Sequence, residues 1–123
     1  MKARIGYVNL YVHDPELEVA FFRDVVGLEV RFSDPSFHFT QFDAGIGFAV
    51  AGGKPAPEGP PADRLSGIGF VVDDVDAKAA EMKAKGARFT LEPGRQPWGG
   101  YMAMFADPEG NVFYLDGPRS AAE

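Results

Sequence analysis

The chain has 123 residues, a formal net charge of −6 and no cysteine, and 46% of its residues are hydrophobic. The acidic balance argues against nucleic acid as a partner, because phosphates require a basic protein face, and the lack of cysteine excludes disulfides, thiolate metal sites and cysteine nucleophiles. No apolar run approaches the roughly 20 residues that cross a bilayer. We therefore expect a cytoplasmic protein with no signal peptide and no membrane partner.

The first half of the sequence predicts the element order β-α-β-β-β. Apolar and polar residues alternate across 4–14, which predicts a strand. Asp14 followed by Pro15 is typical of a helix start, and Gly27 is typical of its end. The predicted buried stripe of this helix comprises Leu17, Phe21, Phe22 and Val25. The three predicted strands that follow are Leu28–Phe32, Phe37–Phe42 and Gly45–Ala51.

The second half repeats this order. Alternation over Leu65–Asp73 predicts a strand, and Asp74 begins a helix that ends at Gly86. The predicted buried stripe of this second helix comprises Val75, Ala79, Ala80 and Met82. The last three predicted strands are Ala87–Leu91, Tyr101–Ala106 and Asn111–Asp116. The segment Asp107–Asn111 is a strong turn signal between two of them.

The repeat predicts two modules within one structural domain. The first module covers 1–52, a Pro- and Gly-rich linker covers 53–64, the second module covers 65–117, and a disordered tail covers 118–123. One module of this size is too small to fold well alone. Two modules pairing edge to edge would form one curved sheet, with the helices on its convex outside and a concave inside. Strand alternation would then place Tyr7, Asn9 and Tyr11 on the concave side.

Several short motifs in this order resemble the vicinal oxygen chelate superfamily, also called the glyoxalase/bleomycin-resistance/dioxygenase family. They are YVNLYV at 7–12, FFRDVVGL at 21–28, IGFVVDDVD at 68–76, PWGG at 97–100 and FADPEGN at 105–111. The resemblance covers nearly the whole chain. It implies an α+β fold in which two βαβββ modules form an open, cup-shaped barrel with the helices outside. It also implies a homodimer.

The resemblance also implies where a metal would bind. Enzymes of the family hold a divalent metal in the cup through His, Glu or Gln, and these ligand positions fall on Tyr7, Ala49, Gly67 and Tyr114. Gly and Ala offer no ligand atom, and a protonated tyrosine is a poor ligand beside imidazole and carboxylate. We therefore expect neither a metal nor a cofactor, and no catalytic residue is assigned.

The side chains left to line the cup are mostly aromatic and nearly uncharged. Trp98 lies in a Gly-rich loop at the predicted mouth, whereas Tyr101 and Met104 are expected in the core or at the dimer contact. His38 lies on a predicted strand, where a hydrogen-bonded wall residue and a functional residue are both open. The predicted ligand-binding residues are Tyr7, Asn9, Tyr11, His38, Trp98, Met102 and Tyr114.

Three hypotheses for the function follow from this lining and the resemblance. The first is a metal-free protein that holds a small, partly aromatic organic molecule in the cup, antibiotic sequestration being one form of such binding. The second is an enzyme of the glyoxalase, dioxygenase or isomerase type, a lyase or dioxygenase, with a relocated metal site or none. The third is a scaffold whose empty cup serves only dimerisation.

Overall fold

A computed structural model describes residues 1–56, 58 and 62–118 of the chain. The predicted tail beyond Pro118 and part of the predicted linker, namely 57 and 59–61, lie outside the described residues. Among the described residues, no helix is long and apolar enough to span a bilayer.

The chain divides into two compact units, 1–60 and 61–123. Each unit folds in the order β-α-β-β-β around one four-stranded sheet, which confirms the predicted α+β class and its repeated element order. Within each sheet, the first strand pairs in parallel with the last, and the other neighbours pair antiparallel. Both sheets are open, since the first strand of each unit and the strand after its helix form the edges.

In the first unit, strand β1 (Tyr7–Tyr11) is followed by a helix that changes its winding. The α-helical part, α1, is Pro15–Ala20, and it continues as a π-helical segment over Phe21–Val26. Asp14 caps the helix by accepting a hydrogen bond from the Leu17 amide at 3.2 Å. Gly27 ends it with a φ of +90°, a conformation that favours glycine. The remaining strands are β2 (Glu29–Asp34), β3 (Phe39–Ala44) and β4 (Ile46–Ala51).

The second unit has a regular helix and a longer second strand. Helix α2 is Val75–Ala84, and Asp74 accepts a hydrogen bond from the Ala77 amide at 3.0 Å. The predicted stripe is buried at Val75, Ala79 and Met82. Ala80 is exposed, contrary to its place in the prediction. The strands of this unit are β5 (Arg64–Val71), β6 (Arg88–Arg95), β7 (Tyr101–Ala106) and β8 (Asn111–Asp116).

The buried stripe of the first helix matches the prediction at Phe21 and Phe22 but lies one residue later at each end. Glu18, Phe22 and Val26 are buried with Phe21, whereas Leu17 is 50% exposed. A fully buried glutamate is unusual, because removing a carboxyl group from water is costly, so an apolar pattern favours Leu17 instead. The ring of Phe22 packs against those of the strand residues Phe42 and Phe48, with centroids 6.3 and 5.0 Å away.

A second aromatic cluster forms the core of the second unit. The ring of Phe105 lies 5.6, 6.0 and 6.2 Å from the rings of Phe113, Phe89 and Phe70. These four side chains lie on the face of the sheet that packs against α2. The next residues along β7 and β8 therefore point to the opposite face, which we call the helix-distal face of the sheet.

Candidate functional site

A cavity of about 450 Å³ lies on the helix-distal face of the second unit. Strands β7 and β8 provide its floor, where Met104 lies opposite Tyr114 and Met102 lies opposite Asp116 in the ladder. The remaining wall comes from β6 and the loop that follows it. The lining residues are Leu91, Gln96, Trp98, Met102, Met104, Tyr114 and Asp116.

The loop over 96–100 carries Trp98 and is shaped by its glycines. The Gly99 amide donates to the Gln96 carbonyl at 2.8 Å, and the Gln96 amide donates to the Gly100 carbonyl at 2.7 Å. Gly99 has a φ of +96°, and a Cβ on Gly100 would lie 2.6 Å from the Trp98 indole Nε1. Glycine at 100 therefore lets the indole lie against the backbone, while 71% of Trp98 stays exposed.

Among the described lining residues, Asp116 is the single acidic one, and it is not among the predicted ligand-binding residues. A Cβ on Gly69 would lie 3.1 Å from Asp116 Oδ2 and 3.5 Å from Tyr114 Cβ. Glycine on the neighbouring strand thus leaves room for the carboxylate on the helix-distal face. The missed signal was strand alternation, because Asp116 follows Tyr114 by two residues and must share its face.

Three of the predicted site residues are brought together at this cavity: Trp98, Met102 and Tyr114. Met104, which we expected in the core or at the dimer contact, also lines it. Tyr101 instead lies on the helix side, where its hydroxyl donates to Asp76 Oδ1 of α2 at 2.7 Å. No sequence pattern indicated Leu91 or Gln96, since β6 shifts its register on both sides of Leu91 and continues past Pro93 to Arg95.

Tyr7, Asn9 and Tyr11 share the helix-distal face of the first unit, as strand alternation predicts. Tyr7 and Tyr11 are 64% and 58% exposed, and neither lines the cavity described above. Asn9 lies between them, opposite Ala49 of β4. Its side-chain oxygen is buried and has no hydrogen-bond partner among the described residues. Their role in ligand binding stays a prediction.

His38 does not lie on a strand, so its predicted position was wrong. Pro35–Phe37 form a 3₁₀ turn that Asp34 caps through the Ser36 amide at 3.1 Å. His38 ends this turn with a φ of +48°, and β3 begins at the next residue. The turn forms because proline presets its first φ angle and Asp34 satisfies an amide, which together delay the strand.

The His38 side chain lines a different cavity, of about 370 Å³, on the helix side of the first unit. A Cβ on Gly52 would lie 2.9 Å from its Cβ, so glycine permits this approach. The cavity lies between the start of α1 and the turn before β3. Its lining residues are Pro15, Glu16, Val19, Arg23, Ser33, Asp34, Pro35, His38, Phe39 and Thr40. His38 therefore does not share a cavity with the other six predicted site residues.

Comparison with known proteins identifies the family. The family model described as the Glyoxalase/Bleomycin resistance protein/Dioxygenase superfamily matches residues 4–115. The chain belongs to this superfamily. Its members generally bind small molecules and often form dimers.

Individual relatives agree with this assignment. A Mycobacterium tuberculosis protein named "Putative glyoxylase CFP32" is 33% identical over 105 residues, which are 85% of this chain and 40% of the relative. The chain thus spans less than half the length of the curated mycobacterial relatives that it matches.

Two solved structures show the same fold. A superfamily member from Sphaerobacter thermophilus aligns with a TM-score of 0.75 and 28% identity, covering 95% of this chain and 98% of that one. A lactoylglutathione lyase from Agrobacterium tumefaciens aligns with a TM-score of 0.72 and 24% identity, covering 95% of each chain.

The residues at the family's four metal-ligand positions do not fit a divalent metal. Ala49 is fully buried and carries only a methyl group, Gly67 has no side chain, and Tyr7 and Tyr114 offer only phenol groups. Divalent metals in such sites prefer imidazole and carboxylate ligands. Within the described part of the chain, no group of three or more His, Asp or Glu side chains is placed to hold a metal ion.

Proposed function

We propose that this protein binds a small, partly aromatic organic molecule in the cavity of its second unit and does so without a metal. The observation that carries the proposal is the lining itself. Trp98 and Tyr114 provide aromatic faces, and Met102 and Met104 provide soft, polarisable side chains that adapt to a flat ligand.

The size and chemistry of the cavity support a drug-sized occupant. Its volume of about 450 Å³ falls within the range of roughly 300 to 1,000 Å³ that is common for ligand pockets. Apolar walls with a few polar groups are typical of such sites, and here Gln96, Tyr114 and Asp116 are those groups. Stoichiometric capture of the ligand, as in antibiotic sequestration, is the role that we propose for such binding.

Trp98 makes the proposal directly testable, because it is the single tryptophan of the chain. Its indole N–H gives one ¹H–¹⁵N resonance at the cavity wall. We would titrate EDTA-treated, ¹⁵N-labelled protein with 2-(2-naphthyl)ethanol, a neutral planar probe. The expected result is a saturable shift of this resonance that fits one probe per chain.

Two variants provide the controls for this titration, and calorimetry follows binding where the indole is removed. Trp98→Ala should weaken binding of the probe by about tenfold, because an aromatic contact contributes roughly 0.5–1.5 kcal/mol beyond its buried area. Phe37→Ala removes an aromatic ring that is 75% exposed in the first unit and should leave the affinity unchanged. No saturable binding by the unmodified protein, or equal binding by Trp98→Ala, would contradict the proposal.

A second candidate function is an enzyme of the glyoxalase, dioxygenase or isomerase type with a relocated metal. The mycobacterial relative named as a glyoxylase favours it. Calorimetric titration with Ni²⁺, Zn²⁺, Mn²⁺ and Fe²⁺ separates the two candidates. Tight binding of one ion per chain would support the enzyme, whereas metal-free probe binding with no ion uptake supports the binding protein.

We also propose a homodimer in the cytoplasm. Within the first unit, we propose that Tyr7, Asn9 and Tyr11 bind a ligand on the helix-distal face and that His38 does so at its own cavity. Sedimentation of the purified chain tests the dimer. Alanine variants of these four residues, measured with the same naphthyl probe, test whether they contribute to binding.

A further inference from the structure

We infer that the cavity of the second unit selects ligands that carry a cationic group beside their aromatic ring, and that Asp116 is the residue that determines this preference. The inference rests on the proposed ligand-binding function and specifies the chemical class of the ligand. Its basis is one carboxylate in a lining that is otherwise neutral.

The position of Asp116 is the first observation. It lies directly opposite Met102 in the ladder and two residues beyond Tyr114, so its carboxylate shares the cavity with apolar and aromatic side chains. Next to such walls, a charge interacts more strongly than in bulk water, because the local dielectric constant is lower. A ligand cation placed here would gain a charge-assisted hydrogen bond.

The lack of a protein partner is the second observation. No hydrogen bond or ion pair of the Asp116 side chain occurs within the residues that the structure describes. Arg95, the cation at the end of β6 next to the loop over 96–100, has other partners. Its guanidinium donates to the Gly99 carbonyl at 2.8 Å and lies 5.6 Å from the centre of the Tyr101 ring, which faces the helix side.

The aromatic neighbours add a third reason. The faces of Trp98 and Tyr114 carry a negative quadrupole that attracts cations, so the same walls that hold a flat ring also favour an ammonium group. An anionic ligand would meet like charge at Asp116. A neutral ligand would leave the carboxylate desolvated without compensation.

A matched pair of probes tests the inference. 2-(2-Naphthyl)ethylamine and 2-(2-naphthyl)ethanol differ only in the group that ends the side chain, an ammonium or a hydroxyl at pH 7. Binding of each is followed by the Trp98 indole resonance. We expect the ammonium probe to bind about tenfold or more tightly than the alcohol, as is typical of a hydrogen bond to a charged group.

Three variants assign this preference to Asp116. Asp116→Asn keeps the shape and should reduce the preference to about twofold or less, whereas Asp116→Glu should retain most of it. Asp73→Asn removes the same charge from an exposed position in this unit and should retain all of it. The ¹H–¹⁵N spectrum of each variant shows whether it is folded.

The outcomes distinguish this inference from the proposed function. Equal binding of both probes by the unmodified protein, or a preference that Asp116→Asn leaves intact, would overturn the role of Asp116 while the cavity still binds aromatic molecules. Binding of neither probe would overturn the inference together with the proposed function.

Discussion

The two sheets differ in which strand carries the tyrosine side chains of the helix-distal face. It is the first strand in the first unit and the last strand in the second unit. In the first unit, the first strand carries Tyr7, Asn9 and Tyr11, and these lie opposite the small residues Gly47, Ala49 and Ala51 of the last strand. In the second unit, Gly69 of the first strand lies opposite Tyr114 of the last strand, so the tyrosine is on the other strand of the pair. Val71 lies opposite Asp116. The same strand order therefore supports two helix-distal faces with different side chains.

The connections after the second strand of each unit differ as well. In the first unit, a tight 3₁₀ turn leads into β3, and the cavity beside it lies on the helix side. In the second unit, β6 runs to Arg95 and the Gly-rich loop places Trp98 at the wall of a helix-distal cavity. Repetition of the βαβββ order thus does not determine on which side of the sheet a cavity forms.

Substitutions in the two aromatic cores should have the largest effects on stability. Phe22→Ala and Phe113→Ala each remove a fully buried ring, and each should lower the free energy of unfolding by about 3–5 kcal/mol. Phe37→Ala removes an exposed ring and should change it by no more than about 0.5 kcal/mol. Urea denaturation followed by circular dichroism measures all three. A loss below about 1 kcal/mol at either core position would show that the unit's core is not packed as described.

The turn before the last strand also differs between the two units, in the hydrogen bonds that an aspartate accepts there. Asp107 is buried and accepts hydrogen bonds from the Glu109 and Asn111 amides, both at 2.9 Å, and from Asn111 Nδ2 at 2.8 Å. Asp107→Ala leaves these donors unsatisfied and should lower the free energy of unfolding by about 1–3 kcal/mol. Asp43 is the carboxylate nearest the matching turn of the first unit, but it lies within β3 and is exposed, so Asp43→Ala should be close to neutral. Equal losses in the free energy of unfolding for Asp107→Ala and Asp43→Ala, measured by urea denaturation, would contradict this difference between the turns.

The helix caps should show where the two units are alike. Asp14 and Asp74 each accept a hydrogen bond from the amide three residues later. Asp14→Ala and Asp74→Ala should each lower the free energy of unfolding by about 1 kcal/mol. Asp→Asn at either position should lower it less, because asparagine also caps well. Thermal unfolding followed by circular dichroism compares them. A cap variant of one helix that costs nothing would show that packing alone fixes that helix start.

The smallest effect concerns an exposed ion pair of the second unit. Arg88 donates to both carboxylate oxygens of Asp63, at 2.7 and 3.1 Å, and this hydrogen bonding lowers the pKa of Asp63. Since the pKa is lower in the folded state, the pair stabilises the fold above the ordinary carboxyl pKa. This contribution is lost as the pH falls through the lowered value. Arg88→Gln should raise the Asp63 pKa, measured by carboxyl ¹³C resonances. An unchanged titration of Asp63 in Arg88→Gln would contradict the pairing. High salt should weaken the ion pair between Arg88 and Asp63.

Sequence patterns predicted most of the fold because the fold depends on local signals. Two aspartate caps, two glycine helix ends and strand alternation are enough to indicate the repeated order, and β7 and β8 have the predicted bounds. The failures have physical causes. Glu18 is buried against the preference of charged groups for water, and the 3₁₀ turn before His38 replaces two residues of predicted strand.

The site was predicted where strand alternation or a Gly-rich loop indicates it. Met102 and Tyr114 followed from their strands, and Trp98 followed from its Gly-rich loop. Asp116 lay within reach of the same rule but was not selected. Leu91 and Gln96 could not be predicted, because β6 contains two register shifts that no sequence pattern indicates.

The most direct test of metal-free binding is to locate the bound ligand within the second unit. Nuclear Overhauser contacts would be measured between bound 2-(2-naphthyl)ethylamine and the methyl groups of Met102 and Met104, with EDTA in excess. Contacts from the naphthyl ring to both methyl groups are the predicted result. Contacts that arise only after a divalent metal is added, or only with methyl groups outside the cavity, would contradict metal-free binding at this site.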